Sequence, residues 1–253
     1  MMKTRMAGIT GILIIILTSL SFTMAHTTDK PTLQYLVRKP GIKTAKPPLL
    51  ILLHGVGSNE QNMFTLSNTL PVNFLVVSAR GPLTLGAGSY AWFQVQFTAD
   101  GPVINETQAE NARKEIIRFI DDLKKVEDFD ENQVYLLGFS QGGIMSYSVA
   151  LTAPEKIKGI VVMSGRLLPE VKPLVVPAER LKKLTVFVSH GTQDPVLKFQ
   201  YAEDAVGYLR SKGLQPDFHQ YNEGHTINAT MLNDVTNWLQ RGSTKYEVRS
   251  TGS

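Results

Sequence analysis

Five short runs of the chain are apolar throughout: Leu49–Leu53, Phe74–Val77, Val134–Leu137, Ile160–Met163 and Val186–Val188. A run of this length without polar alternation marks a strand buried on both faces. A further strand is predicted at Leu33–Val37, and the alternating stretch Asp217–Tyr221 reads as the last one. Helical periodicity fills the gaps. It is clearest over Thr107–Val126, where Ala109, Ala112, Ile116, Phe119, Ile120 and Leu123 recur three or four apart and Glu, Arg and Lys take the other face. Ile144–Leu151, Tyr201–Leu209 and Met231–Leu239 repeat the pattern. Buried strands alternating with amphipathic helices imply an α/β domain, its mostly parallel central sheet covered by helices on both faces. No repeat, low-complexity tract or linker divides it. One domain is expected over residues 26–240, followed by a polar tail at 241–253 that should fray.

The N-terminus follows a different pattern. Lys3 and Arg5 precede an almost unbroken apolar run from Ile9 to Leu20, and small and polar residues lead to Thr23-Met24-Ala25. This is the layout of an export signal, with cleavage expected after Ala25. The alternative is an uncleaved anchor, but the run is shorter than the roughly 20 residues that span a bilayer. The mature protein is expected to be exported, periplasmic or secreted, without stable membrane insertion.

Composition removes several function classes. The 253 residues include no Cys, which excludes a disulfide framework, a cysteine nucleophile, an iron–sulfur cluster and a Cys-ligated zinc. The formal charge of +4 is mild and spread out. Losing Lys3 and Arg5 with the signal would halve that excess, so nucleic acid is not an expected partner. The five histidines are scattered and no metal-ligand spacing or phosphate loop occurs, so neither metal nor cofactor is expected.

Gly138-Phe139-Ser140-Gln141-Gly142 fits G-x-S-x-G, and its context gives it weight. It follows the strand Val134–Leu137 and precedes the helix Ile144–Leu151, the strand–turn–helix setting of a nucleophile elbow. The sharp turn needs small neighbours, which Gly138 and Gly142 supply. Ser140 then projects at a helix N-terminus, whose partial positive charge favours a developing anion. A serine hydroxyl needs a base, and the base needs an orienting acid, here in the chain order Ser, acid, His. His225 follows Glu223-Gly224 in a late loop before the final helix and is the expected base. His190 should shape a turn and His219 should be an exposed strand residue. Asp194, in a turn just after a strand, is the expected acid; Asp217 is its weaker rival. The oxyanion donors should be the N–H groups of Gln141 and of Val56 in the loop His54-Gly55-Val56-Gly57. His54 precedes the nucleophile and reads as a structural residue holding that loop. Asn105-Glu106-Thr107 and Asn228-Ala229-Thr230 form glycosylation sequons, a triplet frequent by chance.

Together these segments resemble the small α/β-hydrolase family of carboxylesterases, lysophospholipases and acyl-protein thioesterases. The matching strings are Leu53-His54-Gly55-Val56-Gly57, Gly138-Phe139-Ser140-Gln141-Gly142-Gly143, His190-Gly191-Thr192-Gln193-Asp194-Pro195-Val196 and Glu223-Gly224-His225-Thr226-Ile227. Arg80-Gly81-Pro82 with Ala91-Trp92-Phe93 looks like the family's segment after its fourth strand. The resemblance implies an α/β-hydrolase fold, a Ser140–Asp194–His225 triad, an oxyanion hole from Val56 and Gln141, and a small-molecule ester as substrate, with lysophospholipids or thioesters as further options. Where many cytosolic members carry an aspartate after the His-Gly-x-Gly loop, this chain has Ser58-Asn59-Glu60. With the export signal, that departure argues against carrying over lipidated cytosolic proteins as substrates.

The interval Gly165–Lys183 is too short for a large lid domain, so an open site is expected. The stretch Gly81–Asn105 reads as a long loop whose aromatics, Trp92 and Phe93 foremost, could line an acyl pocket. Short to medium acyl esters are the expected substrates. Two other readings stand beside this one: a serine peptidase on the same fold, and a non-catalytic binding protein that has kept the triad.

Overall fold

The computed structural model describes residues 30–42, 45–99 and 101–244. The expected export signal, the start of the domain at residue 26 and the end of the tail lie outside them.

The chain runs β1 (Tyr35–Arg38), β2 (Leu49–Leu53), α1 (Glu60–Phe64), β3 (Leu75–Ala79), β4 (Leu83–Gly86), β5 (Ser89–Ala91), β6 (Val95–Thr98), β7 (Gly101–Ile104), α2 (Glu106–Val126), β8 (Val134–Phe139), α3 (Gln141–Thr152), β9 (Gly159–Met163), α4 (Ala178–Leu181), β10 (Thr185–Gly191), α5 (Gln200–Ser211), β11 (Asp217–Tyr221) and α6 (Ala229–Thr244). Seven strands form one sheet in the order β1-β3-β2-β8-β9-β10-β11. Only β1 runs antiparallel to its neighbour; the other pairings are parallel. No large lid interrupts the fold. Every residue of β2, β3 and β9 is buried, as an uninterrupted apolar run requires.

Alternate residues of each strand feed opposite faces, because the side-chain period of a strand is two. Leu49, Ile51 and Leu53 join Val134, Leu136, Val186 and Val188 in one core layer, closed by α2, α3 and α5. Leu50, Leu52, Tyr135, Leu137 and Phe187 face the other way, against Met63 of α1 and Met231, Val235 and Leu239 of α6. Helix α3 departs from amphipathicity. It is buried from Gln141 to Leu151, so its apolar residues show no single face.

The structure corrects two expectations. The stretch Gly81–Asn105 is not a plain loop: it folds into the antiparallel pairs β4–β5 and β6–β7. Their strands are short and partly exposed, so they leave no continuous apolar run in the sequence. The domain also does not end at residue 240. Helix α6 continues to Thr244, Ser243 is buried, and Gly242 packs against the Tyr135 hydroxyl. No helix among the described residues is long and apolar enough to cross a membrane.

Candidate active site

Parallel strands end on one side, and their C-terminal loops gather there. The turn after β8 carries Ser140, the loop after β2 carries Val56, the loop after β10 carries Asp194 and the loop after β11 carries His225. Ser140 has φ 54° and ψ −116°, a conformation that L side chains seldom adopt. The surrounding contacts impose it. A Cβ on Gly138 would overlap the Gly142 carbonyl, and one on Gly142 would overlap the Leu53 carbonyl. Ser140 N–H donates to Met163 O at 2.9 Å, which ties the turn to β9.

Ser140 Oγ lies 2.9 Å from His225 Nε2, and His225 Nδ1 lies 2.7 Å from Asp194 Oδ2. With the imidazole proton on Nδ1, the ring donates to Asp194 and accepts from Ser140. The His225 ring also leans on Phe139, centroid to centroid 4.9 Å. Asp194 Oδ1 accepts from Val196 N–H at 2.8 Å and Leu197 N–H at 2.9 Å. Burial pushes the Asp194 carboxyl up, but hydrogen bonds from His190, His225, Leu197 and Val196 outweigh it and hold the group well below the usual carboxylate range. The residue expected as the weaker acid, Asp217, instead contacts His219 Nε2 at 2.8 Å.

Gln141 opens α3, where backbone donors have no partner within the helix. Val56 N–H has no backbone acceptor among the described residues. Both residues line a narrow slot that Ser140 also borders. The Gln141 side chain is fixed in turn: its Oε1 accepts from Trp92 N–H and its Nε2 donates to Phe93 O, each at 2.7 Å. His54 holds its loop as expected. Its Nδ1 lies 2.7 Å from Gly55 O, and its Nε2 accepts from Gly81 N–H at 2.9 Å. Burial pushes its pKa down, which favours the neutral ring this pattern needs.

Two spaces adjoin Ser140. An open cleft of about 350 Å³ is walled by Val56, Leu66, Phe97, Phe139, His225 and Ile227. A slot of about 20 Å³ is walled by Phe93, Val95, Phe97, Ile104, Ile144 and Arg166. Phe93 therefore lies where a pocket aromatic was expected, but Trp92 does not. Trp92 is fully buried, and its Nε1 donates to His54 O at 2.9 Å. It braces the oxyanion loop rather than lining either space. His219 is half-buried and stacked on Phe187, not exposed. Both sequon asparagines cap helices: Asn105 Oδ1 accepts from Gln108 N–H and Asn228 Oδ1 from Met231 N–H.

His190 spans the turn it was expected to shape, but its approach to Asp194 and one ion pair escaped the sequence reading. His190 is fully buried, with Nε2 2.7 Å from Leu197 O and 3.4 Å from Asp194 Oδ2. Its place four residues before Asp194 was the available signal. Glu60 and Arg80 form a pair in which Arg80 Nε donates to Glu60 Oε2 at 2.8 Å, and Arg80 lies over the Tyr90 ring. This pair clamps α1 to the end of β3, and no local pattern marks it. Among the described residues no cluster of His, Asp or Glu could hold a metal ion.

Comparison with known proteins agrees with this geometry. The carboxylesterase SOBER1 of Arabidopsis thaliana is 29% identical over 206 residues, covering 76% of this chain and 89% of that protein. Acyl-protein thioesterase 1 of Cryptococcus neoformans is 29% identical over 181 residues, covering 67% of this chain and 76% of that protein. The crystal structure of esterase PE8 superposes with a TM-score of 0.72 at 25% identity, over 83% of this chain and 98% of that one. The family model described as Phospholipase/Carboxylesterase matches residues 38–242, nearly all of the described fold, and the chain belongs to that α/β-hydrolase family.

Proposed function

We propose that this protein is a serine hydrolase of carboxylic esters that works through an acyl-enzyme on Ser140. The family is described as Phospholipase/Carboxylesterase, and the named relatives are a carboxylesterase, an acyl-protein thioesterase and an esterase. The observation carrying the mechanism is the continuous hydrogen-bonded line from Ser140 Oγ through His225 to Asp194, beside a slot that Val56 and Gln141 also line. In the first step Ser140 Oγ attacks the ester carbonyl carbon while its proton passes to His225 Nε2. The carbonyl oxygen becomes an oxyanion that the Val56 and Gln141 N–H groups stabilise. The C–O bond to the alcohol then breaks, and His225 Nε2 returns the proton to the leaving oxygen. Water repeats the sequence in reverse roles, giving the free acid and regenerating Ser140. Asp194 stays ionised and stabilises the transient imidazolium.

Of the short to medium acyl chains expected, the short ones suit the narrow slot beside Ser140. Export is part of the proposal and rests on the N-terminal pattern of Lys3, Arg5 and the run Ile9–Leu20. Replacing Ser140 with Ala should lower kcat on p-nitrophenyl butyrate by about 10⁴–10⁶-fold with the fold intact by circular dichroism. Near-wild-type turnover would overturn the serine mechanism. N-terminal sequencing of protein recovered outside the cytoplasm tests export: His26 is the expected first residue.

A further inference from the structure

The two spaces at Ser140 differ in what they can receive. The proton that leaves with the alcohol comes from His225 Nε2, so the alcohol must sit within hydrogen-bond reach of that atom. His225 walls the open cleft and not the slot. The cleft is therefore the alcohol side and the slot the acyl side. The slot is apolar apart from Ser140, Gln141 and one charged side chain, Arg166.

Arg166 is a cation at the edge of this slot. It has no carboxylate partner among the described residues. Its NH2 group donates to Pro102 O at 3.2 Å, and the guanidinium lies 5.5 Å from the centre of the Tyr201 ring. Its Nε is buried and makes no hydrogen bond. An unsatisfied donor on a permanently charged group is costly and uncommon in a folded protein. The backbone that presents it is fixed. Ser164 holds φ at +48° with its N–H on Ser189 O, and Gly165 sits so close to Gly143 and Val162 that a Cβ would not fit. Arg166 is thus held at the closed end of β9, beside the start of the nucleophile helix.

We infer that Arg166 binds a carboxylate on the acyl portion of the substrate, so that the preferred esters are half-esters of short dicarboxylic acids. The inference rests on the serine esterase reading above and adds the substrate class. A guanidinium offers paired N–H donors in the plane of a carboxylate, and Nε is one of them. The slot's 20 Å³ has room for a water or a carboxylate-sized group, which keeps the acyl chain short.

Monomethyl succinate and dimethyl succinate have nearly the same shape and differ in one charge. Their hydrolysis is followed by acid release, with p-nitrophenyl butyrate as the neutral reference. Wild type should favour the monoanion by about tenfold or more in kcat/KM, the range of a charge-assisted hydrogen bond. Arg166→Met should abolish that preference, read as the ratio of kcat/KM for the two succinates. Free succinate should inhibit butyrate hydrolysis competitively in wild type and far less in Arg166→Met. A fluorophosphonate probe that still labels Ser140 establishes that the variant is folded, and Arg166→Lys, which keeps the charge, should retain part of the preference. Equal turnover of the two succinates by wild type, or a preference that survives in Arg166→Met, overturns the inference while butyrate activity leaves the esterase reading standing. Loss of all Ser140-dependent turnover would sink both.

Discussion

Asp194 takes hydrogen bonds from His225 and two backbone N–H groups, with the His190 ring 3.4 Å away, and that convergence governs its protonation. Its folded-state pKa is depressed, so the stability it contributes is fully present above the ordinary carboxylate range and is lost only as pH falls through the depressed value. Over any practical assay range Asp194 remains ionised. The kcat/KM profile on p-nitrophenyl butyrate should therefore show no loss from protonation of Asp194 across that range. Asp194→Asn would offer an amide N–H₂ to His225 Nδ1, favour the wrong tautomer and lower kcat by about 10³–10⁴-fold. A variant with wild-type kcat would remove Asp194 from the mechanism. That Ser140, Asp194 and His225 meet in one hydrogen-bonded line was legible from motif, order and position. The part played by Trp92 was not, because a loop aromatic that lines a pocket and one that bridges two loops look alike along the chain.

The elbow between β8 and α3 is the element on which the site depends. It holds Ser140 at φ 54° only because two glycines let backbone meet backbone. Gly142→Ala would drive a methyl group into the Leu53 carbonyl, and neither partner is a flexible side chain. Overpacking of this kind costs about 3 kcal/mol or more, which in a domain of this size lowers Tm by roughly 6–12 °C. Gly207→Ala is the matching control, since that glycine lies on the exposed face of α5 with open space around it. It should leave Tm unchanged or raise it slightly, because Ala is the better helix former. Thermal melts of the two variants distinguish a packing requirement from a general effect of losing glycine. The elbow was readable as an element from the sequence because strand, glycines and helix are contiguous. The hairpins β4–β5 and β6–β7 were not, because half of their residues face solvent and carry no steady alternation.

The described fold is built on one seven-stranded sheet with a core layer on each face, and its last helix bears on the limits of the domain. Helix α6 closes one layer through Met231, Val235 and Leu239 and then continues past Gln240. Truncation after Gln240 removes the buried Ser243, its contact with Asn73 and the packing of Gly242 on Tyr135. A loss of about 1 kcal/mol is expected, or roughly 2–4 °C in Tm. Truncation after Thr244 should leave Tm where it is, and equal melts for the two would place the domain end nearer residue 240. By itself the sequence determined what is local and periodic: the buried strands, the amphipathic helices, the nucleophile turn and the order of the triad. Those follow from a strand period of two, a helix period of 3.6 and the small residues that a sharp turn demands. The tertiary structure alone decided which side chains meet across distant segments. It placed Trp92 on the His54 loop, paired Arg80 with Glu60, set His190 against Asp194 and put Arg166 in the same slot as Ser140, without a carboxylate partner among the described residues. Such contacts depend on how loops from separate strands converge at one end of the sheet, and no spacing along the chain encodes that distance.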